Sequence, residues 1–340
     1  MAQSSDELIK REISDKVGRS HSDLTLRVFP SSSNQDQKLF REGGLTFGVD
    51  GVAYGSCDAA WSTSGTWTDS FDRKRYAPRP VLAIEGTNAL NTGSGGNAQY
   101  QRFHHALGAV RNGIVGVYYL RKGTQKIRPE LHGMAVSASS IEGTPYVVTD
   151  DLTLVKNLLQ NFDNPENFES LIQESTELSQ NIFQNYFDSR FGDWGTFAKK
   201  RSTVLHEGTA IKHAGRMKRN FTDGSQRAGH IAVGEMYLTK YLFSGYRIDY
   251  LWPRMSAGDL IDLDNRKSTD KEWALLRNEP GIRIVTRDDV IGLEDSIKDE
   301  LYGMRDEPLK GAFMSNYSRI ALAIQHGLEN GEYAIELDTP

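Results

Sequence analysis

Two short apolar runs constrain this chain most. VLAIEG at 81–86 and IVGVYYL at 114–120 are rich in β-branched and aromatic residues, and each reads as a buried strand. Between them, AQYQRFHHALGAVR places Tyr100, Phe103, Leu107 and Val110 at helical spacing, and Asn112-Gly113 ends that helix. Parallel neighbours need a crossover of about a dozen residues or more, usually a helix. A strand, a helix and a second strand in this order therefore predict a layered sheet of the α/β (α+β) class, a central mixed β-sheet flanked by helices.

Around this unit the pattern predicts further elements. Residues 5–16 read as a helix and 20–36 as a polar loop. LTFGVDGVAYG and CDAAWSTSG within 45–64 are short β-prone runs broken by glycine, and 65–79 is a charged connection. Asn164-Pro165 opens a long helix with proline at its first position. Residues 231–243, 288–302 and 318–328 read as helices, and GIRIVT at 281–286 and EYAIEL near the end as strands. These shifts suggest an N-terminal helix and loop segment (1–44), a core (45–150) and a mixed elaboration (151–340) continuous with the core.

One cysteine, Cys57, excludes an intrachain disulfide and a zinc site built on cysteines. The start, MAQSSDELIKREI, is charged where a secretory leader needs an apolar centre. No run approaches the roughly 18 apolar residues of a membrane span. The expectation is a cytoplasmic protein with no membrane partner.

The chemistry concentrates at Glu85, a carboxylate at the end of a strand that is otherwise apolar. Such a group needs a partner or a cation, although it can also simply cap a turn. Asp58 opens the strand-like AAWST. If 58–64 pairs with 81–87, the two acids converge, and a pair of hard oxygen donors suits Mg²⁺. Asp50, Asp69 and Asp72 are rivals for the first acid. Glu42 reads as a solvated loop residue, and His104 as a hydrogen-bonded core histidine.

An acid on one strand, an acid on the next, a crossover helix and a further strand: this order resembles the core of the PD-(D/E)XK nuclease superfamily, in particular type II restriction endonucleases. The resemblance covers about residues 45–121. It implies a restriction-endonuclease-like core with a C-terminal elaboration. It also implies that Asp58 and Glu85 hold Mg²⁺, with the Gly86 carbonyl as a third ligand. The position usually held by a lysine, two residues after the second acid, is Thr87 here. Members of the superfamily with Glu or Gln at that position are also known. The implied activity is Mg²⁺-dependent, sequence-specific cleavage of double-stranded DNA, by a homodimer with two sites.

Two other segments bear on a nucleic-acid partner. The loop TGSGGN at 92–97 precedes a helix, where free N–H groups suit a phosphate. It lacks the lysine of a P-loop and does not fit G-x-G-x-x-G. In the nuclease reading, Asn88, Asn91 and Asn97 of this region face DNA. The segment TAIKHAGRMKRNFTDGSQRAGH holds Lys212, His213, Arg216, Lys218, Arg219 and Arg227. Lys and Arg neutralise phosphates, and Arg also reads base edges, although a charge run is usually a solvated face. The formal net charge of −5 excludes a uniformly basic coat but not a basic cleft, because acidic residues crowd 150–190 and basic ones 199–230. Two alternatives remain open. One is a non-cleaving DNA-binding protein with a nuclease-like core. The other is an α/β enzyme that takes a phosphorylated small molecule at the glycine-rich loop.

Overall fold

The computed structural model describes residues 5–28, 46–49, 52–63, 67–68, 74–75, 79–88, 99, 102–121, 127–191, 203–207, 233–234, 236–237, 240–241, 247–252, 256–266, 271–286 and 288. The chain divides into two compact units, Met1–Phe187 and Asp188–Pro340. The breaks suggested by composition at 44/45 and 150/151 do not coincide with this division.

The first unit begins with helix α1 (Ser5–Val17), as the pattern over 5–16 predicts. Strands β1 (Ser20–His21) and β2 (Leu24–Val28) follow and pair antiparallel. This corrects the loop expected over 20–36 for its first part. Leu24 is buried between exposed Asp23 and Thr25, an alternation that a polar flank obscures in the sequence. Strands β3 (Thr46–Val49) and β4 (Val52–Ser56) form a separate hairpin. Next come β5 (Ala59–Ser62), the two-residue β6 (Trp67–Thr68) and β7 (Lys74–Arg75), and the long β8 (Pro80–Thr87). Helix α2 (Phe103–Val110) crosses to β9 (Val115–Leu120). Helix α3 (Pro129–Glu142) crosses to β10 (Tyr146–Thr149). Helices α4 (Leu152–Gln160) and α5 (Pro165–Phe191) follow, the latter with the expected proline at its start.

Six of these strands form one mixed sheet in the order β1-β2-β5-β8-β9-β10. Pairing is antiparallel from β1 to β8 and parallel from β8 to β10. The change of direction at β8 follows from its connections. A chain excursion returns β5 to an antiparallel neighbour, whereas α2 carries the chain over the sheet to a parallel one.

Each face of the sheet has its own cover. One carries Trp61, Leu82, Ile84, Val117 and Tyr119 against Ile9, Ile13 and Val17 of α1 and Val155, Leu158 and Leu159 of α4. The other carries Ala60 and Ala83 against Phe47 of the hairpin and Ala109 of α2. Small residues on that second face let α2 lie close. Trp61 is fully buried, and its Nε1 donates to the Gly18 carbonyl at 3.1 Å, which fixes the end of α1.

The second unit holds a parallel sheet in the order β11-β12-β13, made of β11 (Thr203–Glu207), β12 (Arg247–Trp252) and β13 (Ile282–Thr286). Helices α6 (Ala257–Arg266) and α7 (Lys271–Asn278) lie between the last two strands. The expected strand at 281–286 is thus present, and the described positions within 231–243 are helical. Buried Glu279 accepts hydrogen bonds from Tyr237 Oη at 2.7 Å and from Lys240. Of the helix expected at 288–302 only Asp288 is described, and the elements expected at 318–328 and at the C-terminal strand lie outside the described residues. Among the described residues, no helix is long and apolar enough to cross a membrane.

Candidate active site

The antiparallel register of β5 with β8 pairs Ala59 with Ile84. One step further out, Asp58 and Glu85 meet at the same end of the two strands. The Asp58 N–H donates to the Ile84 carbonyl at 2.9 Å, and the Gly86 N–H donates to Asp58 Oδ2 at 2.9 Å. The Asp58 carboxylate therefore takes over the hydrogen-bond ladder where β5 stops. The N–H and C=O of one strand residue point to the same side, so the Gly86 carbonyl lies on the β5 side of β8, as its N–H does. Gly86 also has a steric role. A Cβ there would lie 2.3 Å from Ile9 Cγ2, so only glycine lets α1 approach this strand end.

Both acids are buried, at 7% exposure for Asp58 and 1% for Glu85. Buried charges need partners. Glu85 Oε1 lies 3.3 Å from Arg102 Nη1 and 3.3 Å from His105 Nδ1. Asp58 Oδ1 lies 3.7 Å from Lys10 Nζ. His105 reaches Glu85 because residue 55 is a glycine at φ +121°. A Cβ there would lie 2.3 Å from His105 Cδ2.

Burial, then the Glu85 carboxylate, pushes Asp58 up to about 7, against the opposing pull of the Gly86 N–H, Lys10 and Arg102. The neighbouring Cys57 thiol is pushed up by burial and by the same two acids, and donates to the His105 carbonyl at 3.6 Å. Cys57 is therefore a packed thiol beside the site. Burial and Glu85 likewise raise Tyr118, whose hydroxyl donates to the Gln99 carbonyl at 2.7 Å. Gln99 in turn accepts the Arg128 N–H at 3.0 Å through its side chain.

The structure thus brings together Asp58, Glu85, Gly86 and Thr87. Thr87 is buried two residues beyond Glu85 on the same face of β8, and Asn88 follows at the strand end, half-buried. His104 is buried in α2 as a core histidine, its ring edge-on to His105 at 4.6 Å. Asp50, Asp69, Asp72, Glu42, Asn91, Asn97 and the basic set Lys212, His213, Arg216, Lys218, Arg219 and Arg227 lie outside the described residues, as does the loop at 92–97.

Sequence reading missed two site residues, Lys10 and Arg102, and placed His105 only on the helix flank beside His104 without tying it to Glu85. Arg102 and His105 stand three apart, one turn of a helix that begins at 103, and this spacing was a usable signal. Nothing local marks Lys10, which arrives from the far end of the unit.

Among the described residues, no group of three or more His, Cys, Asp and Glu is placed to hold a metal ion. Two carboxylates and a carbonyl nevertheless suit Mg²⁺, which commonly takes one or two carboxylates and completes its shell with water and substrate phosphate. Zinc, which favours nitrogen and sulfur donors, is a poorer match. No protein-family model, curated protein or solved structure matches this chain.

Proposed function

We propose that this protein is a Mg²⁺-dependent, sequence-specific double-stranded DNA endonuclease of the restriction-enzyme type. One observation carries the reading. Two buried carboxylates, Asp58 and Glu85, sit at one end of adjacent antiparallel strands, and a crossover helix and a parallel strand follow. Burial, and then the nearby Glu85 carboxylate, push Asp58 up to about 7, so its ionisation is sensitive to charge placed beside it. A Mg²⁺ ion held by Asp58, Glu85 and the Gly86 carbonyl would polarise the phosphate and acidify water. Asp58 is oriented by the Gly86 N–H, and Glu85 by Arg102 and His105. Arg102 is the most exposed member of the cluster, with a third of its side chain open to solvent, and is suited to grip a phosphate. Cutting both strands of a palindrome is most simply done by a homodimer with one site per subunit.

The test is incubation with plasmid DNA and Mg²⁺. Discrete bands support the proposal; a smear points to a nuclease without sequence preference. Glu85→Ala is expected to abolish cutting, and equal cutting by Glu85→Ala and wild type refutes the site. A second reading, a non-cleaving DNA-binding protein, is favoured by Thr87 in place of a lysine. Salt-sensitive DNA binding with no cleavage in any divalent metal would select it.

A further inference from the structure

We infer that Lys10, on the N-terminal helix, supplies the positively charged group that position 87 lacks, and orients the attacking water beside Asp58. The inference rests on the nuclease reading.

Lys10 reaches the site from α1, not from the strand that carries Glu85. Its Nζ lies 3.7 Å from Asp58 Oδ1, and its side chain is only 11% exposed. An ordinary surface ion pair leaves its ammonium in water. Here the helix delivers it into the wall of the acid pair. Three features hold it there. Ile9, Ile13 and Val17 recur at one-turn intervals and are buried against the sheet. Gly86 leaves the space that Ile9 fills, so the residue next to the first acid sets how close the helix can come. Arg121 ties the next turn of α1 to the same strand end. Its Nε donates to Glu12 Oε2 at 2.7 Å, and its N–H donates to the Thr87 carbonyl at 3.0 Å.

The reaction needs such a group. Water oxygen adds to phosphorus, the bond from phosphorus to the departing sugar oxygen breaks, and a phosphate monoester and an alcohol result. The water gives its proton to solvent, and the sugar oxygen takes one from solvent. The water oxygen becomes nucleophilic as it sheds its proton, and negative charge then passes to the phosphoryl oxygens and the departing sugar oxygen; a fixed cation beside the water favours that loss of the proton. Threonine brings no charge. An ammonium has three donors, and Asp58 engages one side of it, leaving donors for the water.

The competing role for Lys10 is to neutralise Asp58 until a metal displaces it. Lys10→Met and Lys10→Arg separate the two roles, with circular dichroism to establish folding. Cleavage is measured under single turnover at saturating Mg²⁺, and Mg²⁺ affinity by calorimetry. The expected result is a loss of roughly 100-fold or more in the cleavage rate for Lys10→Met, the size typical of a lost electrostatic stabiliser. Its Mg²⁺ affinity is expected to stay within about threefold of wild type, because the ligands are untouched. Lys10→Arg, which keeps the charge, is expected to recover part of the rate, and it serves alone if the methionine variant does not fold. Wild-type cleavage by Lys10→Met together with tighter Mg²⁺ binding overturns the inference. A wild-type protein that cuts no DNA removes the nuclease reading itself, a distinct result.

Discussion

Replacing Asp58 by asparagine is expected to stabilise the first unit while destroying its metal response. The wild-type carboxyl titrates near 3.8 in an unfolded chain and is pushed up to about 7 in the folded one. At about 1.4 kcal/mol per pKa unit, ionised Asp58 costs the fold up to about 4 kcal/mol. The folded state holds more protons than the unfolded state between those values. The stability this group contributes is thus complete below about pH 4, and is lost as pH rises to 7. Asparagine keeps an acceptor for the Gly86 N–H but carries no charge. It also deprives Lys10 of its partner, which takes back part of the gain. The expected net stabilisation is roughly 1–3 kcal/mol at pH 8.5, shrinking to nothing by pH 4. Hydrogen exchange at the amides of β8 and β9 reads the first unit alone. Saturating Mg²⁺ at about 100 times its Kd should add about 2.7 kcal/mol to wild type and nothing to the variant. A variant no more stable than wild type at pH 8.5, or a gap of equal size at pH 4, would refute the reasoning.

Gly55→Ala should push the His105 ring off Glu85, since the new Cβ would stand 2.3 Å from it at a backbone angle that suits glycine. A destabilisation of about 1–3 kcal/mol and a shifted His105 ring resonance are expected, and an unshifted resonance would contradict the packing described here. His132, held near pKa 4 by burial against a weaker opposing pull from Asp150, lies with its Nδ1 3.0 Å from Ser179 Oγ. A depressed histidine stabilises the fold above pH 6.5, and that stability is lost as pH falls to 4, by up to about 3 kcal/mol. Urea midpoints for His132→Gln should fall less steeply across this window than those of wild type, and parallel curves would count against it.

The centre of the sheet was legible because its signals are local. Four consecutive apolar residues before Glu85, a helical repeat ending at Asn112-Gly113 and the run after it are all read without knowing the partners. The structure trims that helix to Phe103–Val110 and extends the strand to Pro80–Thr87. The meeting of Asp58 with Glu85 was also foreseen, as it needed only a hairpin with a long connection. Helix α3 was missed: Ser137, Ser139, Ser140 and Gly133 interrupt any apolar stripe, although Pro129 and Gly143 mark its ends. It is stabilised by packing, not by periodicity. Lys10 was illegible for a different reason, because its role depends on a contact with a residue 48 positions away. Such a contact reflects tertiary packing, which composition and spacing do not encode.

The neighbour relation between α1 and α4 has a temporal side. Residues 9–17 find their full seat only after residues 152–160 exist, because both helices cover the same sheet face. During synthesis, at about 5–20 residues per second, Asp58 and Glu85 emerge well before α4. Closing a loop of this length costs little more than closing one half as long, so delay rather than entropy is what the arrangement imposes. A nascent chain can carry both acids and still lack the clamp that brings Lys10 to them. Under the reading proposed here, completion of the unit becomes a condition of cutting, and a truncated product would be harmless to the DNA around it.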